Sequence, residues 1–441
     1  MSENLLDRAK DALTLAKKAG AADAATSLRR SREVITKWRD GKLENVSDAV
    51  SRALSIQLYV DGRYGSMSTS DLRKAALERF VGDAVAMVRA LAKDPQRKLP
   101  DPSAYADRTR DDLEIFDPKL AELDANARLG RVRALEAGAR RGDGSGKIVS
   151  VTSSFTDYTG EIARVTSNGF EGSYQHSYVS EECEVSVKDS DGRRPSDWSN
   201  ASVRRYADLP ASGVTGRDAT ARALARLGAK KVASGTKTVV IEARAMPSLL
   251  RLLIAPLSGS NLQQKQSFYD GQVGKRVASP VLGLSDEPLL GRGLGSRPFD
   301  SEGMTLKRRA LIAAGNLEGY YLDVYYAAKL GLSPTTGGPT NLVVKPGTKS
   351  LDALIGDVKD GFLITAFLGG NSNATTGAFS LGFSGFLLEK GEKRQAIAEM
   401  NVAGKHLDFW KKLSLVGSDV YPYSTLRSPS LVFQGVSVAG T

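Results

Sequence analysis

The feature that most constrains the fold is a period of two in the apolar residues between positions 33 and 69. A period of two places successive side chains on opposite faces of a β-strand. The pattern is interrupted at Asp40-Gly41 and at Asp61-Gly62, and such pairs tolerate the left-handed backbone that tight hairpins require. The segment therefore predicts an antiparallel meander of β-strands.

Amphipathic helices are predicted on both sides of this meander. Before it, apolar residues recur at helical spacing and Gly20 follows the last turn. After it, Ser70 can cap a second helix that would cover one face of the sheet. The sequence therefore predicts a two-layer α/β sandwich over residues 1–95. The apolar positions are Leu5, Ala9, Ala12, Leu13 and Ala16 in the first helix and Leu72, Ala76, Phe80, Ala84 and Met87 in the second.

A second folded region is predicted after a linker. Residues 92–117 show no periodicity and carry prolines among charged residues. Asp117-Pro118 then matches an N-cap followed by proline in the first helical turn. An α+β domain is predicted over residues 117–230. Its elements are strands near 147–158, 161–167, 172–188 and 196–206, a hairpin turn at Asn168-Gly169, and a helix near 217–228 that ends at Gly228.

The remaining residues, 236–441, are rich in glycine, short strand-like segments and turns. This pattern predicts a large β-dominated domain with few helices, and the whole chain is predicted to be an α+β protein of three domains. The segment 369–373, Gly-Gly-Asn-Ser-Asn, has two interpretations. Its backbone amides could pair with an extended peptide, or it could be a simple surface loop.

Composition and charge exclude several classes of protein. With 41% hydrophobic and 25% charged residues, the chain is typical of soluble globular proteins, and it has no apolar run near the roughly 18 residues of a membrane span. The N-terminus lacks a secretory pattern and Cys183 is the only cysteine, so we expect a cytoplasmic protein without disulfides. The formal charge of +11 is scattered without a polybasic tract, which favours a solvated surface over nucleic-acid binding.

Side chains for metal or nucleophilic chemistry are scarce. The two histidines, His176 and His406, fall in different predicted domains and outside any H-E-x-x-H pattern. A catalytic zinc site usually needs three protein ligands, so we predict no catalytic or metal-binding residue. His176 lies between two tyrosines at strand spacing, which favours a cross-strand contact. Cys183 shares strand parity with three valines, which favours a small buried side chain over a nucleophile.

Ordered motifs along almost the whole chain resemble the TldD/PmbA peptidase family. They occur in all three predicted domains. The matching segments are Asp40-Gly41-Lys42-Leu43-Glu44-Asn45-Val46, Val60-Asp61-Gly62-Arg63-Tyr64-Gly65, Thr69-Ser70-Asp71-Leu72, Ser167-Asn168-Gly169, Pro298-Phe299-Asp300-Ser301-Glu302-Gly303, Leu322-Asp323 with Ala328-Lys329-Leu330-Gly331, and Gly369-Gly370-Asn371 through Thr376-Gly377-Ala378-Phe379-Ser380-Leu381-Gly382.

The resemblance implies two related subunits, of which the TldD-like one holds a metal through an H-E-x-x-x-H helix and a later cysteine. The corresponding run here places Arg251 at the first histidine, Leu252 at the glutamate and Pro256 at the second histidine. Arginine has no free lone pair, leucine cannot act as a base, and proline cannot ligate. No cysteine follows Cys183. The chain therefore resembles the PmbA (TldE) type, with no metal of its own and with zinc expected in a TldD-like partner.

The function implied by this resemblance is that of a subunit in a heterodimeric metallopeptidase. Such a hydrolase complex would process unfolded or modified peptides, including leader segments, while this subunit completes the substrate channel. We then expect peptide contact at Gly369, Gly370, Asn373 and Thr376, and we expect Arg251 to face the cavity or form an ion pair. The alternative is a non-enzymatic peptide-binding or scaffold protein. Nucleic-acid binding driven by net charge ranks last.

Overall fold

One antiparallel sheet organises the first half of the chain. The computed structural model describes residues 4–142 and 144–440, so the outermost residues of the predicted first and last domains lie outside it. The strands of this sheet are β1 (Asp23–Arg39), β2 (Lys42–Val60), β3 (Arg63–Thr69), β4 (Ile148–Thr166), β5 (Glu171–Val187) and β6 (Ser196–Val203). Their order is β3-β2-β1-β4-β5-β6, so strands from the ranges 1–95 and 117–230 hydrogen-bond in a single six-stranded sheet.

The two Asp-Gly pairs form the predicted hairpin turns. The φ angles are 46° at Asp40 and 80° at Gly41, and 52° at Asp61 and 75° at Gly62. Positive φ at both central residues is the signature of the type I′ turn, whose twist matches that of the flanking strands. The meander predicted from the sequence is therefore confirmed.

The middle of the sheet corrects one prediction. The two strands expected near 147–158 and 161–167 form the single strand β4. Gly160, in the predicted gap, pairs with His176 of β5. A Cβ at position 160 would lie 2.6 Å from the His176 ring and 2.8 Å from the Tyr158 hydroxyl. The glycine therefore makes room for two rings above a continuous strand instead of breaking it.

Four α-helices cover one face of this sheet. The helices are α1 (Leu5–Lys18), α2 (Lys74–Arg89), α3 (Ala125–Ala139) and α4 (Val214–Ala225). Helices α1 and α2 pack over β1 and β2, whereas α3 and α4 pack over β4 and β5. Apart from Ala25, the buried residues of β1 lie at even positions along the strand, which shows that both helix pairs cover the same face. They are Ala24, Thr26, Leu28, Val34, Thr36 and Trp38.

Helix α2 differs from the prediction in its start and in its phase. Ser70 does not cap it, and Arg73 at the N-cap position makes no side-chain capping bond. The Asp71 carboxylate accepts hydrogen bonds from the backbone N–H and the guanidinium of Arg73, which orders the preceding turn instead. Within the predicted stripe only Ala84 is fully buried, and Met87 is 61% exposed. The residues that face the sheet are Leu77, Val81, Ala84, Val85 and Val88.

The helices of the second region also shift relative to the prediction. The Asp117 carboxylate caps a turn as predicted, accepting from the Lys119 backbone N–H at 3.1 Å, but that turn is the short 3₁₀ helix Pro118–Glu122. The longer helix α3 follows it and takes Asp124 as its N-cap. The helix predicted near 217–228 is α4, which spans Val214–Ala225 and so starts and ends three residues earlier than predicted.

The second half of the chain contains two further sheets and short helices. The strands are β7 (Gly235–Ile241), β8 (Leu284–Asp286), β9 (Arg309–Ala313), β10 (Asn316–Leu317), β11 (Leu342–Val344), β12 (Asp360–Ser372), β13 (Ala378–Glu389), β14 (Glu392–Lys405), β15 (Leu413–Val416), β16 (Leu426–Arg427) and β17 (Leu431–Ala439). The helices are α5 (Met246–Ile254), α6 (Gly259–Gln263), α7 (Val324–Leu330), α8 (Leu351–Gly356) and α9 (His406–Phe409).

The predicted β-dominated C-terminal region is confirmed. One sheet has the order β10-β9-β8-β11-β16, and the other has the order β14-β13-β12-β7-β17-β15 with an additional β14–β17 pairing that closes five of its strands into a ring. Both sheets and α5 share the largest apolar core, whose biggest members include Trp410, Phe362, Phe383 and Phe433. Among the described residues, no helix combines the length and apolar character needed to cross a membrane.

Candidate functional site

Helix α5 and the 3₁₀ turn that follows it carry the three positions singled out by the family resemblance. Pro247 stands in its first turn, and apolar side chains anchor it in the core. Arg251 lies on the exposed side, Leu252 is half-buried, and Pro256 is buried in the 3₁₀ turn that follows. The Pro256 carbonyl accepts a hydrogen bond from the Ser267 hydroxyl at 2.6 Å. The helix therefore packs into the domain while presenting a guanidinium at its surface.

These positions do not fit a metal ion. Zinc in proteins is held by Cys, His, Asp or Glu side chains. A guanidinium, an alkyl chain and a proline ring supply none of these ligands. Within residues 4–142 and 144–440, no three side chains of the ligating types form a group that could hold a metal.

A cavity of about 280 Å³ opens beside Arg251. The residues around it come from four distant parts of the chain. They include Ile254, Ser258, Tyr321, Gly337, Gly338 and Leu426. No sequence period connects such positions, so the sequence analysis missed them. Arg251 lines this cavity, and in the described part of the chain its guanidinium has no ion pair or hydrogen bond. That it faces the substrate cavity stays a prediction.

The predicted peptide-binding glycines lie in a strand and not in a loop. Gly369 and Gly370 belong to β12 and pair with Gly382 and Leu381 of β13. A Cβ at position 370 would lie 2.1 Å from the Ser380 carbonyl oxygen, so only glycine permits this approach of the two strands. The loop interpretation of this segment is therefore wrong for its first residues.

One edge of the same strand is open. β7 pairs with β12 only from Gly361 to Ile364. Beyond that point, residues 365–372 have β13 on one side and no described strand on the other. Nothing lies within 4 Å of a Cβ built at Gly369. This edge presents unpaired backbone groups that another extended chain can reach.

Asn373 and Thr376 form the turn that joins β12 to β13. The Asn373 side-chain oxygen accepts from the backbone N–H groups of Thr375 at 2.9 Å and Thr376 at 3.0 Å. The Thr376 hydroxyl accepts from the Ala378 N–H at 3.3 Å. Both side chains therefore stabilise the turn. All four predicted contact residues lie on one hairpin, but none of them lines the cavity beside Arg251.

His406 contacts this hairpin through hydrogen bonds. Its backbone N–H donates to the Gly377 carbonyl at 2.9 Å, and its Nε2 lies 3.0 Å from the Ser372 hydroxyl. The ring stacks on Phe268 and contacts Phe379. Burial lowers the pKa of His406 to about 4, so the ring is neutral at pH 7. This histidine holds the turn against the core.

His176 and Cys183 occupy the structural roles predicted for them. The His176 ring lies 5.5 Å from that of Tyr158 and 5.6 Å from that of Tyr174, and burial lowers its pKa to about 4. Cys183 is fully buried, and burial raises the pKa of its thiol to about 12. A thiol with so high a pKa is not a nucleophile at neutral pH.

The motif at residues 298–303 contains a buried Asp300 and a half-buried Glu302 that the sequence analysis did not single out. Asp300 is 3% exposed, and its Oδ1 accepts from the Glu302 N–H at 2.8 Å. The Glu302 carboxylate accepts from the Val324 N–H at 2.9 Å, at the start of α7. Burial is the main cause that raises the pKa of Glu302 to about 7; Asp300 and Asp323 add to it, and Arg164 opposes it.

Glu302→Gln is expected to change how stability depends on pH. A carboxyl whose pKa is about 7 in the folded protein and about 4.5 unfolded binds more protons when folded, so its contribution to stability falls as pH rises from 4.5 to 7. The loss is at most about 3 kcal/mol, since one pKa unit corresponds to about 1.4 kcal/mol. The free energy of unfolding of the variant minus that of the parent should therefore be larger at pH 8 than at pH 5. Thermal unfolding at both pH values measures this, and an equal difference at the two pH values would contradict it.

Comparison with known proteins identifies the family. Sequence models of the PmbA/TldA metallopeptidase match residues 24–88 (domain 1), 118–227 (central domain) and 234–440 (C-terminal domain). The metalloprotease PmbA of Escherichia coli O157:H7 is 29% identical over 430 residues, covering 96% of this chain and 93% of the relative. A Haemophilus influenzae PmbA homologue is also 29% identical, over 435 residues.

Solved structures agree over the full length. A Bacteroides thetaiotaomicron protein, described as a candidate modulator of DNA gyrase, superposes with a TM-score of 0.95 at 38% identity and covers 99% of this chain and 98% of its own. TldE from Thermococcus kodakarensis has the same fold, with a TM-score of 0.87 at 20% identity and coverage of 98% of this chain and all of its own. The matches in three successive domains, together with the altered positions on α5, show that the chain belongs to the PmbA/TldD metallopeptidase family as a PmbA (TldE)-type member.

Proposed function

We propose that this chain is the non-catalytic subunit of a heterodimeric TldD/TldE-type metallopeptidase. The complex would cleave unfolded or modified peptides in the cytoplasm, including leader segments. A TldD-like partner would contribute the zinc, which activates a water molecule for hydrolysis. This chain would complete the substrate channel and hold the peptide.

One observation carries this proposal. Helix α5 and the 3₁₀ turn after it are intact and packed, yet their three motif positions are Arg251, Leu252 and Pro256. The apolar residues of the helix pack in the largest core of the described chain, so the helix keeps its packing role although the ligands are gone. Retention of the fold without the ligands favours a subunit whose partner performs the chemistry.

The open edge of β12 supports peptide binding. Extended peptides add to sheet edges through main-chain hydrogen bonds, which makes recognition largely independent of sequence. Residues 365–372 offer such an edge, and the face of the strand at Gly369 is also uncovered among the described residues. Asn373 and Thr376 would contact the same peptide where it passes the turn. Recognition of this kind suits unfolded substrates because their backbone groups are free.

A second open edge supports a protein partner. β3 pairs with β2 only from Leu54 onward, and residues 42–52 of β2 are exposed on both faces. Leu43, Val46 and Val50 are 51%, 54% and 64% exposed. A long, partly apolar free edge promotes aggregation unless another chain covers it. We propose the TldD-like subunit as that chain.

The proposal is tested by reconstitution. This chain, a TldD-like partner and their mixture are each incubated with an unfolded protein such as reduced casein, and bound zinc is measured. Cleavage is expected only in the mixture, with zinc in the partner. A partner whose motif histidines are replaced by alanine serves as the control and should assemble without cleaving. Cleavage by this chain alone, or one zinc per lone chain, would overturn the proposal, whereas assembly that binds peptide without cleavage would favour a scaffold.

A further inference from the structure

The cavity beside α5 has an unpaired positive charge at its rim. Arg251 is exposed, and no carboxylate of the described residues lies within ion-pair distance of it. Some other exposed arginines are paired: Arg292, for example, contacts Glu114 at 2.7 Å and Asp208 at 3.0 Å. A guanidinium is a rigid fork of donors that matches the two oxygens of a carboxylate. Arg251 is therefore available to an anion that enters the cavity.

The surroundings of Arg251 do not supply that anion. No acidic residue of the described part of the chain lines the cavity. Asp323 lies next to Gly337, but its Oδ1 accepts the Tyr326 N–H at 2.7 Å as the N-cap of α7. Behind the cavity wall, the Arg309 guanidinium lies 4.4 Å from the centre of the Tyr321 ring and the Asp286 carboxylate accepts from the Tyr321 hydroxyl at 3.0 Å. These two charges offset each other, so Arg251 remains the unpaired charge at the cavity. The local charge therefore favours a negative ligand.

The rest of the cavity is suited to an apolar group. Ile254, Tyr321 and Leu426 contribute apolar surface. Its volume of about 280 Å³ is slightly below the range of about 300–1,000 Å³ that drug-sized ligands occupy. The space fits one amino-acid residue better than a longer segment. Gly337 and Gly338 border it, and their backbone N–H groups donate no hydrogen bond to the described part of the chain.

We propose that this cavity binds a residue of the substrate peptide that carries a carboxylate next to an apolar group. The carboxylate pairs with Arg251, and the apolar group enters the space between α5 and Tyr321. Either the C-terminal residue of a peptide or an acidic side chain beside an apolar one has this chemistry. The inference rests on the proposed function because it takes a peptide as the ligand. The proposed pairing of the peptide with the edge of β12 has no charge preference, and binding at this cavity would add one.

Calorimetric titration of the full chain tests this site, both alone and with the TldD-like partner. Three short peptides ending in leucine serve as probes: one with a free C-terminus, its C-terminal amide, and an amide with aspartate before the leucine. We expect at least one carboxylate-bearing peptide to bind about tenfold more tightly than the plain amide. Arg251→Gln should abolish that difference. Arg79→Gln on α2, an exposed arginine without an ion pair in the described residues, is the matched control and should preserve it.

The results separate this site from the proposed function. Preference for the free C-terminus assigns the carboxylate to the peptide end, and preference for the aspartate peptide assigns it to a side chain. Equal binding of all three peptides, or an unchanged preference in a folded Arg251→Gln protein, overturns the site. If the reconstituted pair cleaves casein but shows no carboxylate preference, only this inference fails. If the preference exists without cleavage by the pair, only the proposed function fails.

Discussion

Replacing Gly138 by alanine is expected to destabilise the protein by about 3 kcal/mol, because the new methyl group would meet backbone. The N-terminus of α4 crosses α3 in close contact: a Cβ at position 138 would lie 2.2 Å from the Gly213 carbonyl oxygen and 2.7 Å from its Cα. Backbone atoms cannot rotate away as a side chain can, so the two helices must separate. Their separation also strains the hydrogen bond from the Thr220 hydroxyl to the Ala139 carbonyl. Thermal or urea unfolding, followed by circular dichroism, measures the loss.

Helix α3 contains its own control. Gly130 lies on the exposed side of the same helix, and a Cβ there would have nothing within 4 Å. Gly130→Ala should therefore stabilise the protein by about 0.5–1 kcal/mol through helix propensity alone. The two substitutions are chemically identical and should have opposite signs. Similar unfolding midpoints for both variants would show that the contact between the helices can relax.

Local turn chemistry was predictable because it depends on adjacent residues. Asp40-Gly41 and Asp61-Gly62 fix two hairpins whatever the rest of the chain does. The phase of α2 was not predictable in the same way, since residues 70–88 are apolar on more than one side. Contact with the sheet selects Leu77 and Val81 and leaves Met87 in solvent. Tertiary packing decides such cases.

The site was predictable only where a motif spans a few residues. The loss of ligands at Arg251, Leu252 and Pro256 can be read from one helix. The cavity cannot, because its walls come from α5, Tyr321, the Gly337-Gly338 segment and β16. The glycines at 369 and 370 suggested a loop, yet they lie in a strand. Glycine is needed there because β13 approaches too closely for any side chain at position 370.

The double substitution Val46→Lys and Val50→Lys is expected to abolish assembly with a TldD-like partner while leaving this chain folded. Both valines lie on the face of β2 that also carries the buried Ile56 and Leu58, but no helix covers this part of the strand. Exposed positions of this kind tolerate substitution within about 0.5 kcal/mol. Burying two unpaired ammonium groups in an interface costs several kcal/mol, which corresponds to an affinity loss of about 100-fold or more. Size-exclusion chromatography of the mixed subunits measures the change.

A matched control separates the edge strand from a general effect of added charge. Val273 and Val281 are 46% and 47% exposed and lie in the second half of the chain, outside β2. Their double replacement by lysine adds the same charge and should leave assembly unchanged. Lysine also protects natural sheet edges against unwanted pairing, so the variant at 46 and 50 should remain monodisperse on its own. If the variant at 46 and 50 assembles with the partner as well as the parent does, the partner covers another surface of this chain. The free edge of β2 would then not be the interface with the partner.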